Sequence, residues 1–253
     1  NSFYVSCEKV FHPSAKNKPV VVLSNNDGCA ISRSNEAKRI GIGMGAPIFK
    51  CQDIVKQHDV KVFSANFVLY GDMSNRVMSV LSMFTPNLEI YSIDEAFLSL
   101  NGFEHLNLEE YACKIRREVK KQTGIPVSIG VAPTKTLCKV ANHYAKDHPE
   151  SNGIFTLIEE DKIIRILSQT PVKEIWGIGN EKAIFLNRNG IKTALELRNA
   201  PEDWIKKHLT IVTLRTVLEL RGESCLSLEE VQPNKKAIAT TRTFGYEVSH
   251  LSE

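Results

Sequence analysis

Residues 92–97 read Ser-Ile-Asp-Glu-Ala-Phe, so two adjacent acids, Asp94 and Glu95, stand between apolar stretches. Two like charges at one place repel and lose hydration, and they persist where a cation or a basic side chain compensates them. Hard carboxylate oxygens suit Mg²⁺, which takes one or two carboxylates and completes its shell with water and substrate phosphates. An exposed acidic turn is the plainer alternative. Lys135 and Lys139 are spaced i, i+4 on an expected helix. They are either a solvated basic face or a partner for the phosphates of a substrate held by the acids and the metal. Ser32, Arg33, Asn35, Lys38 and Arg39 make a second polar cluster, expected on one short helix, with the same two readings open.

Gly177-Ile178-Gly179 opens a helix that closes at Gly190-Ile191, a spacing that resembles a helix-hairpin-helix. Its glycines let backbone N–H groups approach a phosphate at a positive helix end, so a nucleic-acid strand is gripped without base readout. A tight turn is the alternative for Gly-x-Gly taken by itself. Phe3 and Tyr4 read by default as core aromatics. The seven histidines have no ligand spacing.

These residues need elements to hold them. Residues 88–91 and 97–100 alternate apolar and polar side chains, which predicts paired strands with the two acids near the bend between them, at the margin of a core. Residues 18–24 predict a buried strand ended by the turn Asn25-Asn26-Asp27-Gly28. Residues 31–40 predict a polar helix closed by Gly41, and Gly43, Gly45 and Pro47 an irregular turn. Helices are expected at 66–84, 107–122 and 134–146, and a strand at 127–131. From about residue 166 strand-like runs give way to short helices. Residues 229–236 read as a linker, and 237–244 as a strand belonging to a further domain. Strands and helices that mix without strict alternation indicate an α+β fold, an antiparallel sheet backed by helices.

Composition bounds the function. The 253 residues are 42% hydrophobic and 24% charged, an ordinary globular balance. A net charge of +3 permits a nucleic-acid partner without arguing for one. No apolar run approaches the roughly 18 residues of a membrane span, and the start does not read as a signal peptide. Six scattered cysteines without a C-x-x-C pair read as reduced thiols in a cytosolic protein, with neither a zinc site nor a disulfide framework. Both ends read as cut: the chain opens without a leading strand, and its last strand has no partner.

Taken together and in order, residues 1–8 (Asn-Ser-Phe-Tyr-Val-Ser-Cys-Glu), 19–29, 35–38, 92–97, 135–139 and 176–179 resemble the Y-family translesion DNA polymerases, and among them the UmuC-like branch. The resemblance implies a ferredoxin-like palm with inserted fingers and a helical thumb containing the helix-hairpin-helix. It divides the chain into fingers at 1–65 with the start of a palm whose first strand is missing, palm at 66–165, thumb at 166–230, linker at 231–236, and the first strand of a little-finger domain at 237–253. It implies dNMP transfer from dNTP to a primer 3′-hydroxyl with two Mg²⁺ ions and low fidelity. Asp94 and Glu95 match metal-binding carboxylates, and a third is expected just upstream of Asn1. Lys139 matches a lysine on the triphosphate, as do Ser32 and Lys38 in the fingers. Tyr4 matches the steric gate under the incoming sugar and Phe3 its neighbour. Ile31 and Gly45 fall at the roof over the nascent base pair, and Gly177, Ile178 and Gly179 on the DNA backbone. Asn35 stands where several relatives carry Tyr. Implied partners are primer-template DNA and dNTP, with accessory repair subunits and a sliding clamp for the whole protein, which is expected in the cytoplasm. As a fragment the chain is expected to be weakly active or inactive. Two rival readings are a cyclase-type nucleotidyl enzyme on a palm-like sheet and a DNA-binding scaffold without catalysis.

Overall fold

A computed structural model describes residues 2–229 and Ala237. Helix α1 (Phe3–Phe11) leads into β1 (Val20–Leu23), β2 (Ala30–Arg33), α2 (Asn35–Arg39), α3 (Gln52–Gln57), β3 (Lys61–Phe63) and α4 (Phe67–Leu81). Then come β4 (Leu88–Ile90), β5 (Ala96–Leu98), α5 (Leu108–Thr123), β6 (Ile129–Val131), α6 (Lys135–Asp147) and β7 (Ile154–Thr156). Helices α7 (Glu160–Gln169), α8 (Asn180–Arg188), α9 (Ala194–Asn199), α10 (Glu202–His208) and α11 (Ile211–Leu220) follow.

The continuous apolar run of β1 is explained by its place. It is the centre of a three-stranded sheet, antiparallel to β2 and parallel to β3. Alternate side chains of a strand face opposite ways. Val20 and Val22 enter one core with Tyr70, Met73 and Val77 of α4, while Val21 and Leu23 enter another with Ala30, Ala37, Ile42 and Val60. β4 and β5 form the expected antiparallel pair, with Glu89 opposite Phe97 and Ile90 opposite Ala96. β6 and β7 pair in parallel. Against β6 packs α6, at a distance only glycine allows: a Cβ on Gly130 would lie 2.4 Å from the Asn142 nitrogen and 2.4 Å from the Cys138 carbonyl oxygen. The far face of α6, through Leu137, Val140 and Ala141, shares one core with Leu186, Leu197, Leu214, Val217 and Leu220 of the C-terminal helices.

The helices expected at 66–84, 107–122 and 134–146 are α4, α5 and α6. Their starts are capped by Asn66, Asn107 and Thr134, each accepting a backbone N–H from the first turn. The helix expected at 31–40 is corrected. Residues 30–33 are strand β2, and only 35–39 are helical. β1 offers these residues a ladder of hydrogen bonds, which outweighs their weak helical preference. The Ser34 hydroxyl then accepts the Ala37 N–H at 3.2 Å and starts α2 one turn later than expected. The strand at 127–131 is shorter than expected, and α1, α3 and β3 had no reading from pattern. From residue 166 onward no strand occurs among the described residues. The strand read at 237–244 and residues 230–236 of the linker lie outside the described residues, Ala237 excepted.

Candidate active site

The turn between β4 and β5 carries the two acids. Its frame is the Glu95 carbonyl, which accepts the Tyr91 and Ser92 N–H groups, each at 3.0 Å. The Ser92 hydroxyl donates to Asp94 Oδ1 at 2.9 Å. Asp94 is exposed and Glu95 half-buried. The charge conflict read from the sequence is therefore met in two ways. Asp94 keeps its water, and Glu95 receives Lys139 Nζ at 2.7 Å.

Lys139 reaches Glu95 from α6 through an aromatic enclosure. Its ammonium lies 5.0 Å from the Tyr91 ring, 5.6 Å from Trp176 and 6.0 Å from Phe97, within cation–π range of all three. Trp176 stands edge-on to Tyr91 and donates its ring N–H to the Tyr91 hydroxyl at 3.3 Å. One turn earlier on α6, Lys135 has another task. It pairs with the buried Glu89 of β4, lies 5.1 Å from the Phe97 ring, and donates to the Ser227 carbonyl at 2.7 Å. Neither lysine belongs to a solvated face.

Asp94, Glu95, Lys139 and Phe3 line one cavity of about 390 Å³ whose remaining wall is largely apolar and drawn from α4, α5, β5, β6 and residues 125–128. Tyr4 adjoins it. Its phenol is pushed above the usual range by burial first and by the negative field of Asp94 second. The Tyr4 ring lies flat on Tyr70 at 4.4 Å.

The remaining residues singled out from sequence fall in three places. Ser32 is buried on β2, where its hydroxyl accepts the Val5 N–H of the first turn of α1 at 3.4 Å. Ile31, like Phe3 and Tyr4, packs against the core of α1 and α4. Gly45 holds a positive φ of 70° and donates its N–H to the Ala30 carbonyl at 2.8 Å, which lays its turn over the start of β2. Lys38 is exposed on α2, one step beyond this group. Gly177, with φ +86°, and Gly179, which caps α8, flank the buried Ile178 directly after Trp176. The glycine turn is thus packed against the acidic turn through Trp176. Sequence reasoning missed Tyr91, Phe97 and Trp176 as the lysine's enclosure, although Phe97 and Trp176 sit inside the motifs it singled out and Tyr91 directly precedes the acidic one. It also missed Glu8 and Tyr70, which meet across 62 positions and leave no local signal.

Two adjacent carboxylates fit a Mg²⁺ ion that draws its other ligands from water and substrate phosphates. Among the described residues no three His, Cys, Asp or Glu side chains gather at one point. No helix of these residues is long and apolar enough to cross a membrane.

A model of the IMS family, impB/mucB/samB, matches residues 1–143. The chain is 48% identical over 255 residues to protein UmuC of Salmonella typhimurium strain LT2, covering all of this chain and 60% of that protein. It is 46% identical over 252 residues to protein ImpB of Salmonella typhimurium, covering 98% and 59%. Among solved structures, a Y-family DNA polymerase chimera, Dbh-Dpo4(243-245)-Dbh, superposes with a TM-score of 0.78 at 27% identity, over 90% of this chain and 67% of that one. The chain spans about three-fifths of the curated relatives it matches.

Proposed function

Because the chain belongs to the impB/mucB/samB family, we propose that it is the catalytic portion of a low-fidelity, template-directed DNA polymerase of translesion synthesis. The observation that carries this reading is the shared cavity: Phe3, Asp94, Glu95 and Lys139 line it, and the Tyr4 ring lies 6.0 Å from that of Phe3. In this reading Asp94 and Glu95 would hold Mg²⁺, two ions in all with a carboxylate supplied from upstream. When bound, the metal would neutralise the triphosphate, favour the ionised primer hydroxyl and stabilise the leaving pyrophosphate. Lys139 has three N–H donors, and Glu95 takes one, so the ammonium can also donate to non-bridging phosphate oxygens. Its aromatic surroundings hold the ammonium beside Glu95.

The other residues bind and select. Tyr4 serves as the steric gate, its ring under the incoming sugar where a 2′-hydroxyl would clash, with Phe3 beside it. Ser32 and Lys38 serve the triphosphate from β2 and α2. Ile31 and the side-chain-free Gly45 present a low roof over the base pair, which checks shape weakly and admits damaged templates. Gly177, Ile178 and Gly179 grip the DNA backbone at the start of α8. In its cytoplasmic setting the whole protein works with repair subunits and a sliding clamp.

Primer extension with Mg²⁺ in the whole protein tests the reading. Asp94→Ala and Glu95→Ala should each slow single-turnover dNMP transfer roughly 10²–10³-fold, the scale of losing a preorganised transition-state charge stabiliser. Asp94 is exposed and bonded only within its turn, so its melting temperature should stay near wild type. Normal polymerisation by either variant overturns the proposal. Unfolding of Asp94→Ala does so too, since it makes the turn structural.

A further inference from the structure

Tyr4 is not held by its own helix alone. Its ring lies on the Tyr70 ring of α4 with centroids 4.4 Å apart and planes 16° from parallel. Phe67 stands edge-on to both, at 5.9 Å and 6.1 Å, and closes the stack from the side. Beneath it is a polar anchor. The fully buried Tyr70 donates its hydroxyl to Glu8 Oε1 at 2.7 Å, and Glu8 is itself only 4% exposed. The second Glu8 oxygen lies 3.5 Å from His12 Nδ1. Glu8 is one helical turn beyond Tyr4 on α1, so one helix presents the ring and the carboxylate that anchors the ring below it.

This arrangement is expensive for packing alone. A buried carboxylate costs free energy that the Tyr70 hydroxyl and the more distant His12 ring repay in part, and Phe at position 70 would fill the same space without needing it. The hydroxyl-to-carboxylate bond adds direction. It stops the Tyr70 ring from sliding or tilting, and that ring is the floor on which Tyr4 rests. A steric filter needs such a floor, because repulsion between ring and hydroxyl falls away within a few tenths of an ångström.

We propose that Glu8 and Tyr70 are positioning residues for sugar discrimination, fixing the plane of Tyr4 through the ring stack. The inference rests on the polymerase reading and on Tyr4 as the gate, and its test separates the two. In the whole protein, kcat/KM is measured for a dNTP and its matching rNTP, the ratio that expresses discrimination. Tyr4→Ala should lower the dNTP preference most. Tyr70→Phe, which keeps the buried ring and removes only the bond, should lower it about 3- to 10-fold, the worth of one buried hydrogen bond. The change should come from improved rNTP use. Glu8→Gln keeps an acceptor and should restore most of the preference, whereas Glu8→Leu should behave like Tyr70→Phe. Added to Tyr4→Ala, Tyr70→Phe should change the ratio by less than about twofold, because a residue acting through Tyr4 has nothing left to act on.

An unchanged ratio in Tyr70→Phe, with Tyr4→Ala effective, overturns the positioning role and leaves the gate intact. Full additivity in the double variant also overturns it. A ratio unmoved by Tyr4→Ala brings down the gate reading itself. Melting curves accompany each variant, and Tyr70→Phe decides the case even where Glu8→Leu does not fold.

Discussion

At the scale of single residues, chemistry in this chain follows surroundings more than residue type. Asp94 and Glu95 are neighbours, yet one is solvated and the other paired with an ammonium. Lys135 and Lys139 are one turn apart, yet one braces Glu89 and the other reaches the cavity. The cysteines divide the same way. All six are free thiols. Cys7 is fully buried, and its thiol is pushed up to about 12, by burial first and by the charge of Glu8 second. Cys138 is pushed up to about 11, chiefly by burial. Because the thiolate is the nucleophile, at pH 8 only about 10⁻⁴ of Cys7 is reactive. Brief alkylation of the native protein at pH 8, read by peptide mass spectrometry, should label the exposed Cys113 first and leave Cys7 and Cys138 unmodified until denaturant is added. Early labelling of Cys7 would place α1 outside the core. The raised Cys7 value also carries a sign for stability. The neutral thiol is favoured in the fold, so the contribution is complete below the ordinary value of 9.0 and is lost as the pH climbs toward 12.

At the scale of elements, the glycine turn before α8 separates folding from binding. Gly177 holds φ +86°, which L side chains rarely adopt, so any replacement strains the turn. Gly179 has an ordinary extended conformation, φ −78° and ψ 173°, with nothing within 4 Å of where a Cβ would stand. Gly179→Val should therefore leave the melting temperature nearly unchanged while obstructing approach of a phosphate to the start of α8. In the whole protein, affinity should fall about tenfold, the worth of a charge-assisted hydrogen bond, and by the same factor on unrelated duplexes because no base is read. Titrations at several salt concentrations on three such duplexes make the check. Loss on one duplex alone, or on none, would mean that Gly177 to Gly179 are merely a turn.

At the scale of the whole molecule, one carboxylate ties distant segments together. Glu219 of α11 is fully buried. It accepts the Thr136 N–H at the start of α6 at 2.9 Å, and the Cys225 and Leu226 N–H groups at 2.8 and 3.1 Å. The Thr134 hydroxyl donates to its carbonyl at 2.8 Å. A negative charge at the positive end of α6 is favourable in its own right. Helix α6 also shares its core with the C-terminal helices, so the element that carries Lys139 is stabilised from the far side of the molecule. Glu219→Gln turns one acceptor into a donor facing backbone N–H groups and should cost about 2 kcal/mol, a melting shift of roughly 4–8 °C for a chain of this size. Hydrogen exchange should rise together in peptides covering 135–147 and 211–220. A rise confined to 211–220 would show that the two do not unfold as a unit.

Local signals sufficed for much of this protein. Alternation marked β4 and β5, the apolar run of residues 20–23 marked a buried strand, and helical spacing marked α4, α5 and α6. Side-chain type alone singled out Asp94, Glu95, Lys139 and the glycine turn. Those features depend on a residue and its near neighbours, so they are written in short stretches of chain. Tertiary structure decided the rest. Residues 30–33 became a strand because β1 lies beside them, and partners 7 to 12 residues away leave no periodic trace. Ser32 therefore bonds to α1 instead of sharing a helix with Lys38. The enclosure of Lys139 draws Trp176 from the glycine turn and Tyr91 from the acidic turn, 85 positions apart. The Glu8–Tyr70 bond beneath Tyr4 joins two helices. Which acid is paired, which lysine faces the cavity and which ring supports another are set by packing between elements, where burial and distance decide the energies that sequence spacing cannot express.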